Sequence, residues 1–368
     1  MIIPSFIRDS FDFLQKLPKS CKQSDTLCTL DVKNLYTKIP HKLGLEAIEY
    51  FIDNNSNILN PRFSKQFILE SVECILNNAY FSYNKEFYLQ VNGTTMGTIM
   101  APVYANLTMA FLEKNLYFIC KQIDINIYNY IILNFKRYLD DCFIILDNTL
   151  INESFILNTL NHLHPDIQFT VNTSGKQINF LDILVIKDLS NYNTTDNNTC
   201  LIETDIYYKE TNNFNYLPFD SNHPRHIKRN IPYNLMNRLN TIVFKSLTKS
   251  YRMQEIKYQL LKLKYPKNLI DDAINKTTSI KINKKMENIN NETINFITFY
   301  SPISNNIFQE IIKPNFQMLQ LQKESFINLN IRNTFMQPLN ILNYFQTNTN
   351  FKIKKCNEYQ DFKALNED

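Results

Sequence analysis

Two adjacent aspartates between two apolar segments constrain the structure of this chain most. Asp140 and Asp141 follow residues 130–135 and precede residues 142–146, and β-branched and aromatic side chains dominate both segments. This pattern predicts a hairpin with the two carboxylates at its tip. Neighbouring carboxylates repel each other unless a cation neutralises them, and hard oxygen ligands suit Mg²⁺. Asp-Asp also occurs in ordinary turns, so the rest of the chain must decide between these interpretations.

A third aspartate, Asp31, lies at the end of the predicted buried strand 26–32. In an antiparallel sheet Asp31 and Asp140 can meet on one face, with Asp141 as a supporting ligand or an electrostatic neighbour. Such carboxylates can hold two Mg²⁺ about 3.5–4 Å apart, an arrangement used in phosphoryl transfer. The alternative is that Asp31 caps the following helix, although Pro40 and His41 intervene.

A glycine-containing loop, residues 92–98, lies between the two acidic elements and holds Gly93 and Gly97. It leads into a long apolar helix predicted over residues 100–120. Glycine lets a nucleotide or a template base approach the backbone closely. The alternative is a loop that only tightens a strand-to-helix turn. The order of Asp31, loop and aspartate pair is typical of a polymerase palm.

The bulk composition indicates a folded protein of two or three domains. The chain has 368 residues, of which 44% are hydrophobic and 13% aromatic. Its seven cysteines have no metal-binding spacing, which predicts free thiols in a reducing compartment. The first residues lack the features of a signal peptide, and no apolar run reaches the roughly 20 residues of a membrane span. We therefore expect a nuclear or cytoplasmic protein that is neither secreted nor membrane-bound, while the sequence does not indicate an oligomeric state.

Positive charge is concentrated in residues 207–290, which carry sixteen Lys or Arg against six Asp or Glu. This region has a net charge of +10 while the whole chain has only +4, so the remainder carries −6. Interleaved Tyr and Phe residues favour a surface that binds a phosphate backbone. The simpler alternative is a solvated helical face.

Hydrophobic periodicity predicts the remaining elements. The predicted helices cover residues 6–17, 42–52, 65–79 and 152–162, the predicted strands cover 80–83, 87–91, 167–171 and 178–186, and a polar loop covers 190–199. Beyond residue 201 the pattern changes to strands and then to long basic helices, with breaks near Pro224, Pro232 and Pro266.

Several segments resemble the motifs of Penelope-like retroelement reverse transcriptases. Residues 30–40 resemble their first aspartate motif, and residues 92–102 followed by Ala105 and Asn106 resemble their glycine motif. Residues 137–141 are similar to their Arg-Tyr-x-Asp-Asp core, and residues 180–182 to their Phe-Leu-Asp segment. A further signature of that group matches Ser221, Asn222, His223, Pro224, Lys228, Pro232 and Arg238.

The resemblance implies a role for each matching residue. The implied catalytic and metal-binding residues are Asp31, Asp140 and Asp141, which would hold two Mg²⁺ (or Mn²⁺) together with the carbonyl oxygen of Val32. The implied nucleotide-binding residues are Asn34 and Leu35 through their amides, Tyr36 as a bulky gate against a 2′-hydroxyl, and Gly93, Met96 and Gly97. The implied nucleic-acid-binding residues are Tyr138, Phe180, Leu181, His223, Arg225, Lys228, Arg229 and Arg238. An ordinary core position for Tyr36 stays open.

The implied fold is α+β, a right-hand polymerase palm in which an antiparallel sheet packs on helices. Residues 1–25 would be remnant fingers, 26–206 the palm and fingers core, 207–346 a basic connection and mainly helical thumb, and 347–368 a weakly structured tail. The implied activity is that of an RNA-directed DNA polymerase with an RNA template, a DNA primer and dNTPs as partners.

Two other functions stay open: a catalytically inactive remnant that binds nucleic acid, and an RNA-directed RNA polymerase on the same palm. Only thirty residues precede Asp31, fewer than in the family, and Thr98 and Ala101 replace the serines of its glycine motif. A truncated element, a fragment and a domesticated copy are all compatible with these departures.

Overall fold

The computed structural model describes residues 3–188, 199–279, 293–299, 307–322, 330–336 and 353–355. Within them, helices combine with two four-stranded antiparallel sheets, which confirms the mixed α and β class. The helices are α1 Ser10–Lys16, α2 Leu35–Lys38, α3 His41–Asn54, α4 Lys65–Asn77, α5 Ala101–Ile123, α6 Ile125–Asn134, α7 Glu153–Asn161, α8 Arg225–Ile242, α9 Ser246–Lys262, α10 Lys267–Ser279 and α11 Lys313–Gln322. The strands are β1 Ser20–Lys22, β2 Thr26–Val32, β3 Tyr80–Tyr83, β4 Glu86–Leu89, β5 Lys136–Tyr138, β6 Asp141–Leu146, β7 Phe169–Ser174, β8 Gln177–Phe180, β9 Ile183–Asp188, β10 Thr199–Ile206, β11 Thr293–Phe299, β12 Asn330–Met336 and β13 Ile353–Lys355.

The central sheet has the strand order β5-β6-β2-β7, with every neighbouring pair antiparallel. β2 and β6 pair from Thr26 opposite Leu146 to Leu30 opposite Cys142. Because side chains alternate between the two faces of a strand, Leu30 and Cys142 project to the same side. Both are buried there in one hydrophobic core with apolar residues of α3, α5, α6 and α7. The helix layer on this face therefore fixes the two strands whose ends carry the aspartates.

The other face of the central sheet carries a cluster of three phenylalanines. The Phe143 ring centroid of β6 lies 4.9 Å from that of Phe13 in α1 and 5.6 Å from that of Phe180 in β8. Phe13 and Phe180 are themselves 4.6 Å apart. β8 is the edge strand of the second sheet, whose order is β1-β10-β9-β8. Such pairs contribute about 0.5–1.5 kcal/mol each beyond the burial of their area.

Polar side chains begin the helices that cover the sheet. Ser64, Asp124 and Asn152 each accept a hydrogen bond of 2.7–3.1 Å from an N–H in the first turn of α4, α6 and α7. A cap of this kind contributes about 0.5–2 kcal/mol. α5 instead carries Pro102 near its start, where the missing N–H has no partner to lose. The predicted helices over 42–52, 65–79, 100–120 and 152–162 are confirmed, whereas the one over 6–17 is shorter than predicted.

The first strand of the acidic hairpin was predicted in the wrong place. Residues 130–135 do not form it, because α6 extends to Asn134 and the strand is only Lys136–Tyr138. Ile127, Ile131 and Phe135 are buried at a spacing of four, which is a helical period. A short, almost wholly apolar run such as 130–135 does not distinguish a helix from a strand.

The predicted single strand over 178–186 is also wrong, since β8 and β9 form a hairpin with Leu181 and Asp182 as its turn. Leu181 has φ 54, a conformation that is uncommon for a leucine. Pro232 lies inside α8 and not at a break, while the breaks at Pro224 and Pro266 are confirmed just before α8 and α10. Most of the predicted loop 190–199 lies outside the described residues; Thr199 begins β10.

The chain divides into two compact units. The first comprises Met1–Asn215, Leu235–Gln259 and Phe351–Asp368, and the second comprises Tyr216–Asn234 and Leu260–Asn350. In the second unit the Tyr265 hydroxyl donates to the carbonyl oxygen of Leu217 over 2.8 Å, and β11 pairs in parallel with β12. None of the helices in the described ranges combines the length and apolar character that crossing a bilayer requires.

Candidate active site

The strand register brings two of the predicted catalytic aspartates side by side. Beyond the last β2–β6 pair, Leu30 and Cys142, the next residues are Asp31 and Asp141. Residues opposite each other in antiparallel strands project to the same face, so both carboxylates lie on the face that also carries Phe143. Asp140 occupies the two-residue turn between Tyr138 and Asp141, which pair across the hairpin. All three aspartates therefore lie at one end of the central sheet.

The charges of these carboxylates interact. Partial desolvation raises the pKa of Asp31 and the charge of Asp140 raises it further, whereas the Val32 N–H, which donates to the Asp31 carboxylate, lowers it. Burial, followed by the charges of Asp140 and Asp31, raises the pKa of Asp141 to about 6, and the Lys209 ammonium counteracts this rise. A cation bound among the three carboxylates would relieve their repulsion.

The donor set fits magnesium in its chemistry. All three side chains offer carboxylate oxygens, and Asp31 is exposed while Asp140 and Asp141 are half-buried. Among the described residues, however, no three His, Cys, Asp or Glu side chains converge into a group that could hold a metal ion as they stand. Binding would thus require these carboxylates to rotate toward a shared ion. The two-magnesium site, with the Val32 carbonyl as a further ligand, stays a prediction.

The turn after β2 carries three of the predicted nucleotide-binding residues. Asn34 adopts a left-handed conformation, with φ 53, just before the short helix α2. Among the described residues no acceptor pairs with the N–H groups of Asn34, Leu35 or Tyr36, as is usual in a first helical turn. Leu35 as a whole residue is only 2% exposed, and the predicted donation of its amide to a triphosphate stays a prediction.

Tyr36 lies close to the tip of the acidic hairpin. Its side chain is half-buried against the main core. Burial raises the pKa of its hydroxyl, and the nearby Asp140 and Tyr138 side chains raise it further. The ring packs on the core while the hydroxyl lies near the Asp140 carboxylate. Each of the two interpretations of Tyr36 therefore describes one part of its surroundings.

The glycine loop packs directly on the Tyr36 turn. Thr94 donates its N–H to the Tyr36 carbonyl oxygen over 2.6 Å, and Gly93 donates to the Ile39 carbonyl over 3.1 Å. Gly93 has φ 72, and a Cβ atom there would lie 2.2 Å from the Tyr36 oxygen. Its predicted contact with a nucleotide stays a prediction, and the packing on the Tyr36 turn buries Gly93. It allows two backbones of the protein to meet.

Two other residues of the loop face solvent. Met96 is 77% exposed, and a Cβ atom at Gly97 would meet no atom within 4 Å. Their predicted contact with a nucleotide or template stays a prediction. The loop thus has a buried half that supports the Tyr36 turn and an open half that is available to a ligand.

The two hairpins with predicted functional residues share an unusual turn. Leu139 and Leu181 both have φ 54, and each precedes an aspartate at its hairpin tip. Phe180, just before the second turn, is 2% exposed inside the phenylalanine cluster. Protein covers the Phe180 ring, and the predicted contact of Phe180 with nucleic acid stays a prediction. The half-buried side chains of Tyr138 and Leu181 leave their own predicted contacts untested.

The sequence analysis did not single out the residues that hold the acidic hairpin. The fully buried Arg137 guanidinium forms an ion pair with Glu113 of α5. It also donates to the Asn106 side-chain oxygen over 2.9 Å and to the Leu139 carbonyl oxygen over 2.8 Å. Arg137 and Asn106 both lie in the motif segments, and this position could have identified them from the sequence. Glu113 lies in none of these segments.

The predicted phosphate-binding cations occupy different environments. His223, Arg225 and Arg229 are exposed, and none of the three makes an ion pair within the described ranges. The Lys228 ammonium instead donates to the carbonyl oxygens of Phe219 and Ser221 over 2.8 and 2.7 Å. For Lys228 the structure favours the capping alternative.

Arg238 is also engaged within the protein. Its guanidinium lies 2.5 Å from the carboxylate of Asp182, which also accepts a hydrogen bond from the Ser10 hydroxyl. The predicted contact of Arg238 with a phosphate would have to compete with this ion pair. The interaction fixes the Asp182 turn between α1 and the second half of α8.

One family model, the animal helix-turn-helix domain, matches residues 215–275. No curated protein is significantly similar to the chain in sequence. Among solved structures, the telomerase of Candida albicans in complex with a fragment of telomeric RNA is 12% identical to this chain, with a TM-score of 0.47. The match covers 76% of this chain and 50% of the telomerase chain. The RNA-dependent RNA polymerase of a human picobirnavirus is 13% identical, with a TM-score of 0.43. That match covers 69% of this chain and 46% of the viral polymerase. A truncated apo telomerase of Candida tropicalis is 14% identical, with a TM-score of 0.37. That match covers 50% of this chain and 39% of the telomerase chain. The chain thus spans half or less of the length of these proteins.

Proposed function

We propose that the chain is an RNA-directed DNA polymerase of the Penelope-like retroelement type, which joins dNTPs to the 3′-hydroxyl of a primer on an RNA template. The observation that carries the proposal is the placement of Asp31, Asp140 and Asp141 at the same end of the central sheet. Burial together with the charges of Asp140 and Asp31 raises the pKa of Asp141 to about 6, and bound divalent ions would relieve the repulsion between these carboxylates. The motif resemblance supplies the reaction class.

In this proposal the three carboxylates and the Val32 carbonyl hold two Mg²⁺. When bound, such ions supply activation of the attacking hydroxyl and stabilisation of the leaving pyrophosphate. The amides of Asn34 and Leu35 donate to the triphosphate, as backbone N–H groups at a helix start can. The Tyr36 ring excludes a 2′-hydroxyl from the sugar position.

A second candidate is a nucleic-acid-binding protein without polymerase activity. The helix-turn-helix match over residues 215–275 and the exposed cations Arg225 and Arg229 favour it. A helix-turn-helix can place its second helix in a DNA groove. This candidate needs the basic surface alone and makes no use of the carboxylates.

Primer extension separates the two candidates. The full chain is given a primed RNA template, Mg²⁺ and either dNTPs or ribonucleotides, beside an Asp140→Asn, Asp141→Asn variant. We expect extension with dNTPs by the wild type and none by the variant, at unchanged primer–template affinity. Extension that survives in the variant would disprove the assigned site, and binding without extension by the wild type would favour the second candidate. A preference for ribonucleotides would indicate an RNA-directed RNA polymerase.

A further inference from the structure

The acidic hairpin is attached to the helix layer by a buried ion pair. The Arg137 side chain is 0% exposed and that of its partner Glu113 is 3% exposed. A buried ion pair is weak evidence for stability, because apolar residues of similar size often support a fold equally well. The guanidinium does fix the directions of its hydrogen bonds, because its N–H donors lie in one rigid plane.

One of these donors forms a hydrogen bond to the turn that carries Asp140. Arg137 Nη1 donates both to Asn106 Oδ1, over 2.9 Å, and to the carbonyl oxygen of Leu139, over 2.8 Å. Leu139 has φ 54, a conformation that persists only where its surroundings impose it. Its carbonyl oxygen belongs to the peptide bond that leads into Asp140. The orientation of this aspartate is therefore tied to the guanidinium.

The amino-terminal segment closes the network from the other side. The Ser5 hydroxyl donates to the Glu113 carboxylate over 2.5 Å. The Arg137 N–H donates to the Ser5 carbonyl, and the Ile7 N–H donates to the Arg137 carbonyl, each over 2.8 Å. Glu113 and the backbone of Arg137 are thus fixed on a side that faces away from solvent.

We propose that Arg137, with Glu113 and Asn106, is a positioning residue that sets the acidic turn relative to α5. The glycine loop 92–98 leads into α5, which carries both partners of Arg137. The network therefore links the element that would bind the nucleotide with the element that would carry the metal ligands. The inference rests on the proposed polymerase function for its catalytic consequence, but the holding of the turn does not depend on that function.

The test replaces the charged pair by apolar residues of similar length. In Arg137→Met, Glu113→Met the core stays filled, so we expect a melting temperature near that of the wild type. We expect kcat for dNTP addition to fall by about 10²-fold, as for a misplacement of reacting groups by about 1 Å. KM for dNTP and Kd for primer–template should stay within about twofold. Arg137→Lys, which keeps the charge but offers one compact donor group, should show an intermediate loss of kcat.

Amide hydrogen exchange provides a readout that needs no activity. In the double variant we expect faster exchange at residues 138–141, with the rest of the central sheet unchanged. The matched control is Lys22→Met, Asp147→Asn, which removes an ion pair of 2.6 Å near the other end of β6. This control should leave both kcat and the exchange of residues 138–141 unaltered.

The outcomes separate this inference from the proposed function. A double variant with wild-type kcat and wild-type exchange overturns the positioning role. If the double variant does not fold, the kcat and exchange of Arg137→Lys decide in the same way. If the wild type shows no polymerase activity, the proposed function fails, and the exchange of residues 138–141 alone decides whether the network holds the turn.

Discussion

Thr94 donates its backbone N–H to the carbonyl oxygen of Tyr36 over 2.6 Å. Through this bond and the contact of Gly93 with the same carbonyl, the glycine loop and the Tyr36 turn form one structural unit. The loop and the turn come from motifs that lie more than fifty residues apart in the chain. A substitution in the buried half of the loop should therefore change the position of Tyr36.

Gly93 and Gly97 form a matched pair for testing this relationship. Gly93→Ala should lower the free energy of unfolding by about 1–3 kcal/mol, because φ 72 and a Cβ atom 2.2 Å from the Tyr36 oxygen both oppose a side chain. Gly97→Ala should change it by less than about 0.5 kcal/mol, since a Cβ atom there meets no neighbour within 4 Å. Urea denaturation of both variants measures the difference. Equal stabilities would contradict the packing of Gly93 on the Tyr36 turn.

Tyr36→Ala should relax discrimination against ribonucleotides. The Tyr36 side chain lies near Asp140, where the sugar of an incoming nucleotide would be bound in the proposed reaction. Removing the ring should raise incorporation of ribonucleotides relative to dNTPs by roughly ten- to a hundredfold, the range for steric selection between substrates that differ by one hydroxyl. Single-nucleotide extension measures this ratio, with Tyr36→Phe as the control that keeps the ring. An unchanged ratio in Tyr36→Ala would show that Tyr36 is a core tyrosine and not a gate.

The raised pKa of Asp141 predicts a pH-dependent stability without divalent metal. Its folded-state pKa is about 6 against an ordinary value of 3.8, so the folded protein binds this proton more tightly than the unfolded chain. The resulting stabilisation is fully present below about pH 4 and is lost as the pH rises through about 6. Asp141→Asn should therefore gain about 2–4 °C in Tm over the wild type near pH 7.5, which corresponds to roughly 1 kcal/mol after solvent screening is allowed for. The gain should vanish near pH 4, and a constant difference across this range would refute the coupling.

At neutral pH, bound magnesium should offset the destabilising repulsion between the ionised carboxylates. An ion that binds the folded state alone raises stability by RT ln(1 + [L]/Kd), about 2.7 kcal/mol at a hundredfold excess over Kd. Adding Mg²⁺ near pH 7.5 should therefore raise the Tm of the wild type. Asp31→Asn, Asp140→Asn should lose this response while keeping its fold. A Tm that rises equally in both proteins would indicate a general salt effect and no specific site.

The sequence predicted the elements with a regular amphipathic period and missed those whose shape depends on distant contacts. α3, α4 and α7 followed their hydrophobic spacing, and β2 was predicted residue for residue. The turn at Leu181 and Asp182 was missed because residues 178–186 are mostly apolar, and leucine rarely adopts the positive φ that Leu181 has here. The partners of Arg137 were not predictable either, since Glu113 lies 24 residues away and Ser5 is 108 residues from Glu113. Only folding brings these charges together.

The basic surface of residues 207–290 should act through its exposed arginines. Arg225 and Arg229 face solvent, whereas the Lys228 ammonium bonds the carbonyl oxygens of Phe219 and Ser221. If the arginines contact phosphates, each neutralised phosphate releases counterions, and log Kd changes with log salt by about 0.9 per contact on duplex DNA. Arg225→Ala, Arg229→Ala should therefore flatten that dependence by roughly two units and weaken binding similarly for all sequences.

Two control variants test whether the effect is specific to the exposed arginines. Lys228→Ala should lower Tm with little change in the salt dependence, because its ammonium group already pairs within the protein. Lys42→Ala, at an exposed position of α3 outside the basic region, should alter neither quantity. Fluorescence anisotropy of a labelled duplex at several salt concentrations measures the slope for each protein. A salt dependence that is the same in the double arginine variant and in the wild type would mean that these side chains only solvate the start of α8, and that nucleic acid, if bound, follows another path.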